Sequence, residues 1–304
     1  MKRILIIDSH KGTKHGIPQN LHWQNANILK DYLISLNHEV DLIWSYPTVN
    51  DSIKCDYDAI VFVHASHYSF VDYKWLEQSP NAKLYYITNE YNLGEPRILW
   101  MAAKQNRKYT VIANYEGKIS KVVRKYTSDW LITNLNCLIY NPTPENLDTT
   151  KKGCIYYGSF RKDRSDYFKK YLNDKVLLSI YSKNVSKFKE AGATSEIIKR
   201  IDWVKDGIKE YEFSLYIEDV RNHENYNHLA NRFYEALNYG VTPLFAEECL
   251  NTIKLSDYNI GVDYIINSSD EIWYKRGLTI NPSWHIKAKE EKQAVLQYLT
   301  EIII

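Results

Sequence analysis

The sequence is poor in cysteine, and its cysteines form no recognisable pair. Four are present, far apart and without a Cys-x-x-Cys spacing, at Cys55, Cys137, Cys154 and Cys249. We therefore expect neither a structural zinc site nor a disulfide framework. No apolar run approaches the length of a membrane span, and the opening MKRILIID lacks the apolar segment of a signal peptide. We expect a cytoplasmic protein without a membrane partner.

The sequence also lacks a large excess of charge of either sign. Lys+Arg 39 against Asp+Glu 37 leaves a net charge of +2, so any nucleic-acid contact has to come from a local patch. A hydrophobic fraction of 44% and a charged fraction of 25% are ordinary for a folded protein and exclude global disorder. A length of 304 residues suits two domains better than one.

Three glycine-containing signatures are absent. The chain has no G-x-G-x-x-G and no G-x-x-x-x-G-K-[ST], so the dinucleotide-binding and P-loop interpretations lack their glycines. It has no G-x-S-x-G turn, and none of its cysteines lies in a nucleophile motif.

Short apolar strands alternate with helical segments along the chain. Strands are predicted at 3–7, 39–44, 58–64, 83–88, 109–113, 137–140, 153–158, 176–181, 213–217, 242–245 and 260–264. Helices are predicted at 25–36, 163–172, 186–191, 229–239 and 283–304. The alternation predicts an α/β protein with two doubly wound Rossmann-like domains that face a central cleft.

A proline-containing polar segment interrupts this alternation and sets the predicted domain boundary. Pro142 and Pro144 favour an extended crossing. We predict a first, acceptor-binding domain over 1–145 and a second, donor-binding domain over 150–284. The C-terminal helix, 285–304, is expected to pack on the first domain.

The segment YYGSFRKDR, at 156–164, runs from a strand through a glycine turn into a predicted helix. Backbone N–H groups at such a turn bind anions, and Arg161 adds a bidentate phosphate donor. The alternative is an ordinary strand–turn–helix with solvated arginines.

Arg232 and Glu235 are three residues apart and share one face of a predicted helix. A carboxylate here could accept both hydroxyls of a ribose, while the arginine meets a diphosphate. The alternative is a surface ion pair, the commoner meaning of this spacing.

Glu90 follows the fourth predicted strand, where a carboxylate facing the cleft suits a general base. The alternative is a glutamate on a surface loop. His64 and His67 follow the third strand, and without a third ligand they are expected to line a cleft rather than bind metal.

One stretch of the first domain is strongly basic. We call its seven cations the basic strip, and only Glu116 opposes them: Lys104, Arg107, Lys108, Lys118, Lys121, Arg124 and Lys125. A near-neutral protein with one basic strip fits contact with DNA phosphates. Solvated helix faces are the alternative.

Several of these blocks resemble one enzyme family. IYYGSFRKDR, the NRFYEAL segment with its following apolar strand, and YYITNE resemble the phage DNA β-glucosyltransferases, which transfer glucose from UDP-glucose to 5-hydroxymethylcytosine in duplex DNA. The order and approximate spacing match along most of the chain, and E-A-L-x-x-G-x-x-P is typical of GT-B nucleotide-sugar transferases. The resemblance implies a monomeric phage enzyme of the GT-B fold that takes a UDP-sugar and flips a hydroxymethylated base out of duplex DNA. A Mg²⁺ or Mn²⁺ ion could assist the departing diphosphate.

The resemblance also implies roles for residues of the second domain. Ser159, Arg161 and Arg232 would hold the diphosphate, and Glu235 the uridine ribose. Arg164 lies three residues after Arg161, where the family has its second turn arginine four residues on. With an insertion between them, Asp219 and Tyr226 match positions near the donor.

In the first domain, Glu90 stands where the family has an aspartate as general base, which implies inverting single displacement. The N-terminal glutamate of the family has Asn25 as its nearest counterpart here. This difference leaves open whether the sugar is glucose, another hexose or a pentose such as arabinose. A GT-B enzyme acting on a carbohydrate or lipid-linked acceptor is the alternative function. A non-catalytic nucleotide-sugar or DNA-binding module is a third.

Overall fold

The computed structural model describes residues 1–8, 25–44, 56–63, 77–88, 92–93, 106–114, 118–119, 124–142, 151–203, 207–218 and 228–304. The chain forms two compact units. Unit one comprises Met1–Ile139 with Glu291–Ile304, and unit two comprises Tyr140–Glu290. None of the helices in these described ranges is both long and apolar enough to span a bilayer.

Unit one contains a six-stranded parallel sheet. Its strands are β1 (Arg3–Asp8), β2 (Glu39–Trp44), β3 (Ala59–Val63), β4 (Lys83–Thr88), β6 (Tyr109–Ala113) and β8 (Thr127–Ile132), in the order β2-β1-β3-β4-β6-β8. The short strands β5 (Asn92–Leu93) and β7 (Lys118–Ile119) pair with each other. Every residue of β3 is buried, as expected for an apolar strand covered on both faces.

Unit two contains a second six-stranded parallel sheet. Its strands are β9 (Lys152–Tyr157), β10 (Val176–Ser179), β11 (Ile197–Ile198), β12 (Tyr211–Tyr216), β13 (Thr242–Ala246) and β14 (Ile265–Ile266), in the order β11-β10-β9-β12-β13-β14. The predicted α/β class with parallel sheets is confirmed.

The described helices are α1 (Asn25–Ser35), α2 (Ser165–Tyr171), α3 (Val185–Glu190), α4 (Asn231–Asn238), α5 (Leu250–Leu255) and α6 (Pro282–Ile303). Five of the described helices follow the predicted helical segments with small shifts at their ends, and the sixth, α5, was not predicted. Helix α6 belongs to both units. Within unit two the Trp284 indole donates to the Tyr258 carbonyl at 2.9 Å. Within unit one Asn134 donates to Glu291 at 2.7 Å.

Two strand predictions were wrong. The predicted strand at 137–140 is part of a 3-10 helix, Leu135–Ile139, whose five residues are all buried. Complete burial produces the same continuous apolar run in either conformation. The neighbouring strand β8 was missed because it is an edge strand whose residues are partly exposed. Likewise, 260–264 contains the 3-10 helix Val262–Tyr264, and the strand β14 follows it.

Both sheets reverse their strand order next to their first strand. β1 lies between β2 and β3, and β9 lies between β10 and β12. In open parallel sheets, ligands bind beyond the carboxyl ends of the strands at such a switch point. The carboxyl ends concerned are Asp8 and Val63 in unit one, and Tyr157 and Tyr216 in unit two.

Candidate functional site

The turn after β9 depends on Gly158. Its φ of +137° is a conformation that side-chain-bearing residues rarely adopt. A Cβ at this position would also lie 3.4 Å from Nη2 of Arg232, so the glycine lets the arginine lie directly against the turn. Ser159 and Arg161 follow and are both exposed.

Arg232, in the first turn of α4, has its guanidinium anchored at the switch point. Its Nη1 donates to the Tyr157 carbonyl at 2.6 Å, and the guanidinium carbon lies 4.6 and 4.8 Å from the ring centroids of Tyr156 and Tyr157. The residue is only 8% exposed. Burial by itself would lower the pKa of Arg232, but Tyr156 and Glu218 outweigh it, so that the pKa is raised. The guanidinium therefore remains a fixed positive charge.

Glu218 lies two residues beyond the end of β12 and contacts two arginines. Its Oε2 accepts from Nη2 of Arg164 at 2.6 Å, and its Oε1 lies 3.6 Å from Nε of Arg232. All three side chains are largely buried. Glu218 therefore joins the two cations into one cluster, which we call the arginine–Glu218 cluster.

Glu235 lies one turn after Arg232 on α4 and is buried against β9. It accepts from the Tyr157 hydroxyl at 2.9 Å. Burial raises the pKa of Glu235, although Tyr157 and Arg232 partly oppose that effect. Burial and the nearby Glu235 also raise the pKa of Tyr157, so the phenol stays a donor. A carboxylate can accept several hydrogen bonds, which leaves capacity for ligand hydroxyls.

Two interpretations from the sequence need correction here. Arg232 and Glu235 are not a surface ion pair, because both are buried and each contacts another residue, Glu218 and Tyr157 respectively. The helix after the glycine turn is also shorter than predicted. The 3-10 helix Lys162–Arg164 separates Gly158 from the seven-residue α2, so side chains rather than a helix dipole supply the positive charge.

Unit one has buried polar groups of a different kind. Asp8 at the end of β1 and Thr88 at the end of β4 are 0% and 1% exposed. Asn25, the first residue of α1, is 2% exposed, and within the described part of the chain neither polar atom of its amide has a hydrogen-bond partner. The predicted base Glu90 lies outside the described residues, as do His64 and His67.

The described cations of the basic strip precede strands of the first sheet. Arg107 and Lys108 come directly before β6, and Arg124 and Lys125 come shortly before β8. They therefore lie at the amino ends of these parallel strands, opposite the edge at which Asp8 and Thr88 end their strands. Arg107 is half-buried and donates to the Ala82 carbonyl.

The remaining predicted site residues cannot be placed. Lys104, Lys121, Asp219 and Tyr226 lie outside the described residues, and of Lys118 only its position in β7 is described. Within the ranges that the structure describes, no three His, Cys, Asp or Glu side chains come together as metal ligands.

Tyr157 and Glu218 belong to the site, although no role was predicted for them from the sequence. A signal was present for Glu218, because it follows a buried strand of unit two just as Glu90 follows β4. Tyr157 belongs to the quoted YYGSF segment, but only the fold shows that its carbonyl holds Arg232 while its hydroxyl holds Glu235.

No family model matches the chain, and no curated protein matches it by sequence. Among solved structures, it is similar to T4 phage β-glucosyltransferase in complex with UDP and Mn²⁺, with a TM-score of 0.61 and 14% identity over 98% of this chain and 95% of that chain. An α-glucosyltransferase in complex with UDP has a TM-score of 0.63 and 11% identity over 100% of both chains. An α-glucosyltransferase with UDP-glucose and DNA containing an abasic site has a TM-score of 0.60 and 10% identity over 99% of both chains. The likeness establishes the fold, and the predicted GT-B fold class is confirmed.

Proposed function

We propose that this protein is a glycosyltransferase that moves a sugar from a UDP-sugar to an acceptor hydroxyl, with the donor held by unit two. The observation that supports this most strongly is the pairing of a buried, anchored Arg232 with a buried Glu235 at the switch point of the second sheet. Parallel sheets bind ligands at such points. Arg232 carries the positive charge that a diphosphate requires, and Glu235 supplies acceptor oxygens for the ribose hydroxyls.

Each donor group has a chemical partner in the proposal. Arg161 and Arg232 bind the diphosphate through charge-assisted hydrogen bonds, and Ser159 adds a hydroxyl. Glu235 accepts from the ribose hydroxyls. Because Arg232 is held by the Tyr157 carbonyl and two aromatic rings, its charge is already in position when negative charge develops on the leaving diphosphate. Asp219 and Tyr226 belong to the proposed donor site by resemblance alone.

UDP as the nucleotide is supported by the similar structures. T4 phage β-glucosyltransferase was solved with UDP, and an α-glucosyltransferase with UDP-glucose. The phage structure also contains Mn²⁺. In this proposal the arginines supply positive charge for the diphosphate, and no step involves a metal ion.

We propose duplex DNA with a hydroxymethylated cytosine as the acceptor. An α-glucosyltransferase of the same fold was solved with UDP-glucose and DNA. A base inside a duplex has to be flipped out before its hydroxymethyl group can reach a catalytic carboxylate. Glu90 then removes the hydroxyl proton as the oxygen attacks the sugar in a single inverting displacement.

The basic strip supplies the proposed phosphate contacts. Its described members at the amino edge of the first sheet lie away from the edge where β4 leads to Glu90. Lys104 and Lys121 lie outside the described residues, so neither edge of the sheet is assigned to them. We keep all seven cations as candidates, to be separated by charge reversal.

The decisive experiment incubates the purified protein with a panel of UDP-sugars and with hydroxymethylated or unmodified duplex DNA. Nucleoside mass spectrometry should then show one sugar added only to the hydroxymethylated base. The Arg161→Ala variant, which alters an exposed donor-binding side chain, should show less product at limiting donor. Transfer to a carbohydrate or lipid-linked acceptor in place of DNA would favour the alternative enzyme. No consumption of any donor would leave a non-catalytic binding module.

A further inference from the structure

The arginine–Glu218 cluster places two guanidiniums around one carboxylate. The side chains of Arg164, Arg232 and Glu218 are 11%, 8% and 5% exposed. Two buried cations side by side repel each other, and the charge of Arg164 indeed opposes the raised pKa of Arg232. Removing such charges from water is costly unless an opposite charge compensates them.

The carboxylate is shared unequally between the two arginines. Its bond to Arg164 is a short hydrogen bond of 2.6 Å, whereas its 3.6 Å contact with Arg232 is electrostatic only. Nε of Arg232 is buried and has no hydrogen-bond partner among the residues that the structure describes. Three side chains therefore carry a net charge of one positive unit, and the Arg232 guanidinium is not fully satisfied. The cluster can accept further negative charge.

We propose that Glu218 is the resident counter-ion of Arg164 and Arg232. It stabilises the two guanidiniums side by side while the donor site is empty, and the diphosphate of the donor shares that role on binding. Glu218 is thus a positioning residue that acts through the arginines and also limits how tightly the site binds an anion. The inference rests on the proposed function, because it takes the donor to be a nucleoside diphosphate sugar.

The test is the Glu218→Gln variant, which preserves the shape of the side chain and one acceptor oxygen but removes the charge. The ligand-free melting temperature should fall, since the repulsion between the arginines is no longer compensated. The affinity for UDP should rise by about tenfold, because a competing negative charge beside the diphosphate is gone. The affinity for uridine, which has no phosphate, should not change.

The ratio of UDP to uridine affinity separates this role from a structural one. A loss of packing alone would weaken both ligands together, so an unchanged or smaller ratio in Glu218→Gln overturns the proposal. Glu212→Gln, in the strand β12 that precedes Glu218, is the matched control and should leave the ratio unchanged. Glu218→Asp keeps the charge and should keep the ratio near that of the wild type.

Two outcomes, a wild type that binds no UDP and a Glu218→Gln variant that does not fold, call for a further experiment each. If the wild type binds no UDP, the proposed function fails, and inorganic pyrophosphate becomes the probe, which Glu218→Gln should still bind more tightly than the wild type does. If Glu218→Gln does not fold, the Arg164→Gln/Glu218→Gln double variant should fold, because one charge of each sign is removed together. A double variant that is also unfolded would indicate a packing role and overturn the proposal.

Discussion

The two sheets have the same architecture but different chemistry at corresponding points. Each has six parallel strands, and each places its first strand between its second and a later one. At the switch point of unit two lie Arg232 and Glu218, fully charged groups that contact each other. In unit one the buried Asp8 ends β1 at the switch point, and the buried Asn25 begins α1. The shared topology therefore determines where a ligand can bind, and the side chains determine which ligand.

The two switch points also differ in how their buried polar groups are satisfied. In unit two the Tyr157 carbonyl and hydroxyl anchor Arg232 and Glu235, so the site is rigid before a ligand arrives. In unit one the described residues offer the buried Asn25 amide no hydrogen-bond partner, and a buried amide left unpaired costs on the order of 1–3 kcal/mol. A preformed charged site suits the donor, which carries the diphosphate. A polar site with an unused amide suits neutral hydroxyl groups.

The largest expected effect would test whether unit one supplies the catalytic base. Glu90→Gln should slow single-turnover sugar transfer by roughly 10²–10⁴-fold, because only the chemical step needs the base. Calorimetry should show nearly unchanged UDP affinity. Asn89→Ala is the neighbouring control. Near-wild-type transfer by Glu90→Gln would move the role to Asp8, the buried carboxylate at the end of β1.

The second prediction separates two arginines of unit two. Arg232→Ala leaves Glu218 with one buried partner fewer and should lower the free energy of unfolding by about 3–5 kcal/mol, measured in urea. Arg161→Ala removes an exposed side chain and should leave stability unchanged while weakening UDP binding by about 1.5–3 kcal/mol. Unchanged UDP affinity in Arg161→Ala would remove this residue from the donor site.

The third prediction divides the basic strip of unit one. Charge reversal at Lys104 and Lys121 should weaken DNA binding and reduce the slope of log affinity against log salt by about 0.9 for each lost phosphate contact. Reversal at Lys108 and Arg124, at the amino edge of the sheet, should change the slope less if the DNA phosphates follow the opposite edge, where β4 leads to Glu90. If every variant keeps the salt slope of the wild type, the basic strip is only a solvated surface.

The smallest effect concerns the pH dependence of unit two. Because burial raises the folded-state pKa of Glu235 above 4.5, the carboxylate favours folding less once it ionises. The contribution of Glu235 to the free energy of unfolding is therefore present at low pH and declines as the pH rises through the raised pKa. Glu235→Gln should lose less stability than the wild type between pH 4.5 and 7.5 in urea titrations. A steeper decline in the variant would contradict the assigned burial effect.

The sequence by itself determined the alternation of strands and helices and most of the positions that matter. Apolar runs such as AIVFV in β3 are expected to be buried, and the short length and β-branched residues of this run favoured a strand. The glycine turn at Gly158 and the i,i+3 spacing of Arg232 and Glu235 were also readable, because turns and helices are local. What the pattern could not distinguish was a buried 3-10 helix from a strand at 137–140, since both are continuously apolar.

Only the tertiary structure decided how these residues combine. The spacing of Arg232 and Glu235 left a surface ion pair open as the alternative to a donor-binding pair, and their burial ruled that alternative out. Glu218 became part of the site because β12 lies beside β9, which brings residues 218 and 164 together across more than fifty positions of sequence. Likewise, the parallel direction of β6 and β8 put Lys108 and Arg124 at the amino edge. Charge and hydrophobicity are properties of single residues, but the partner that balances a buried charge is chosen by the pairing of distant strands.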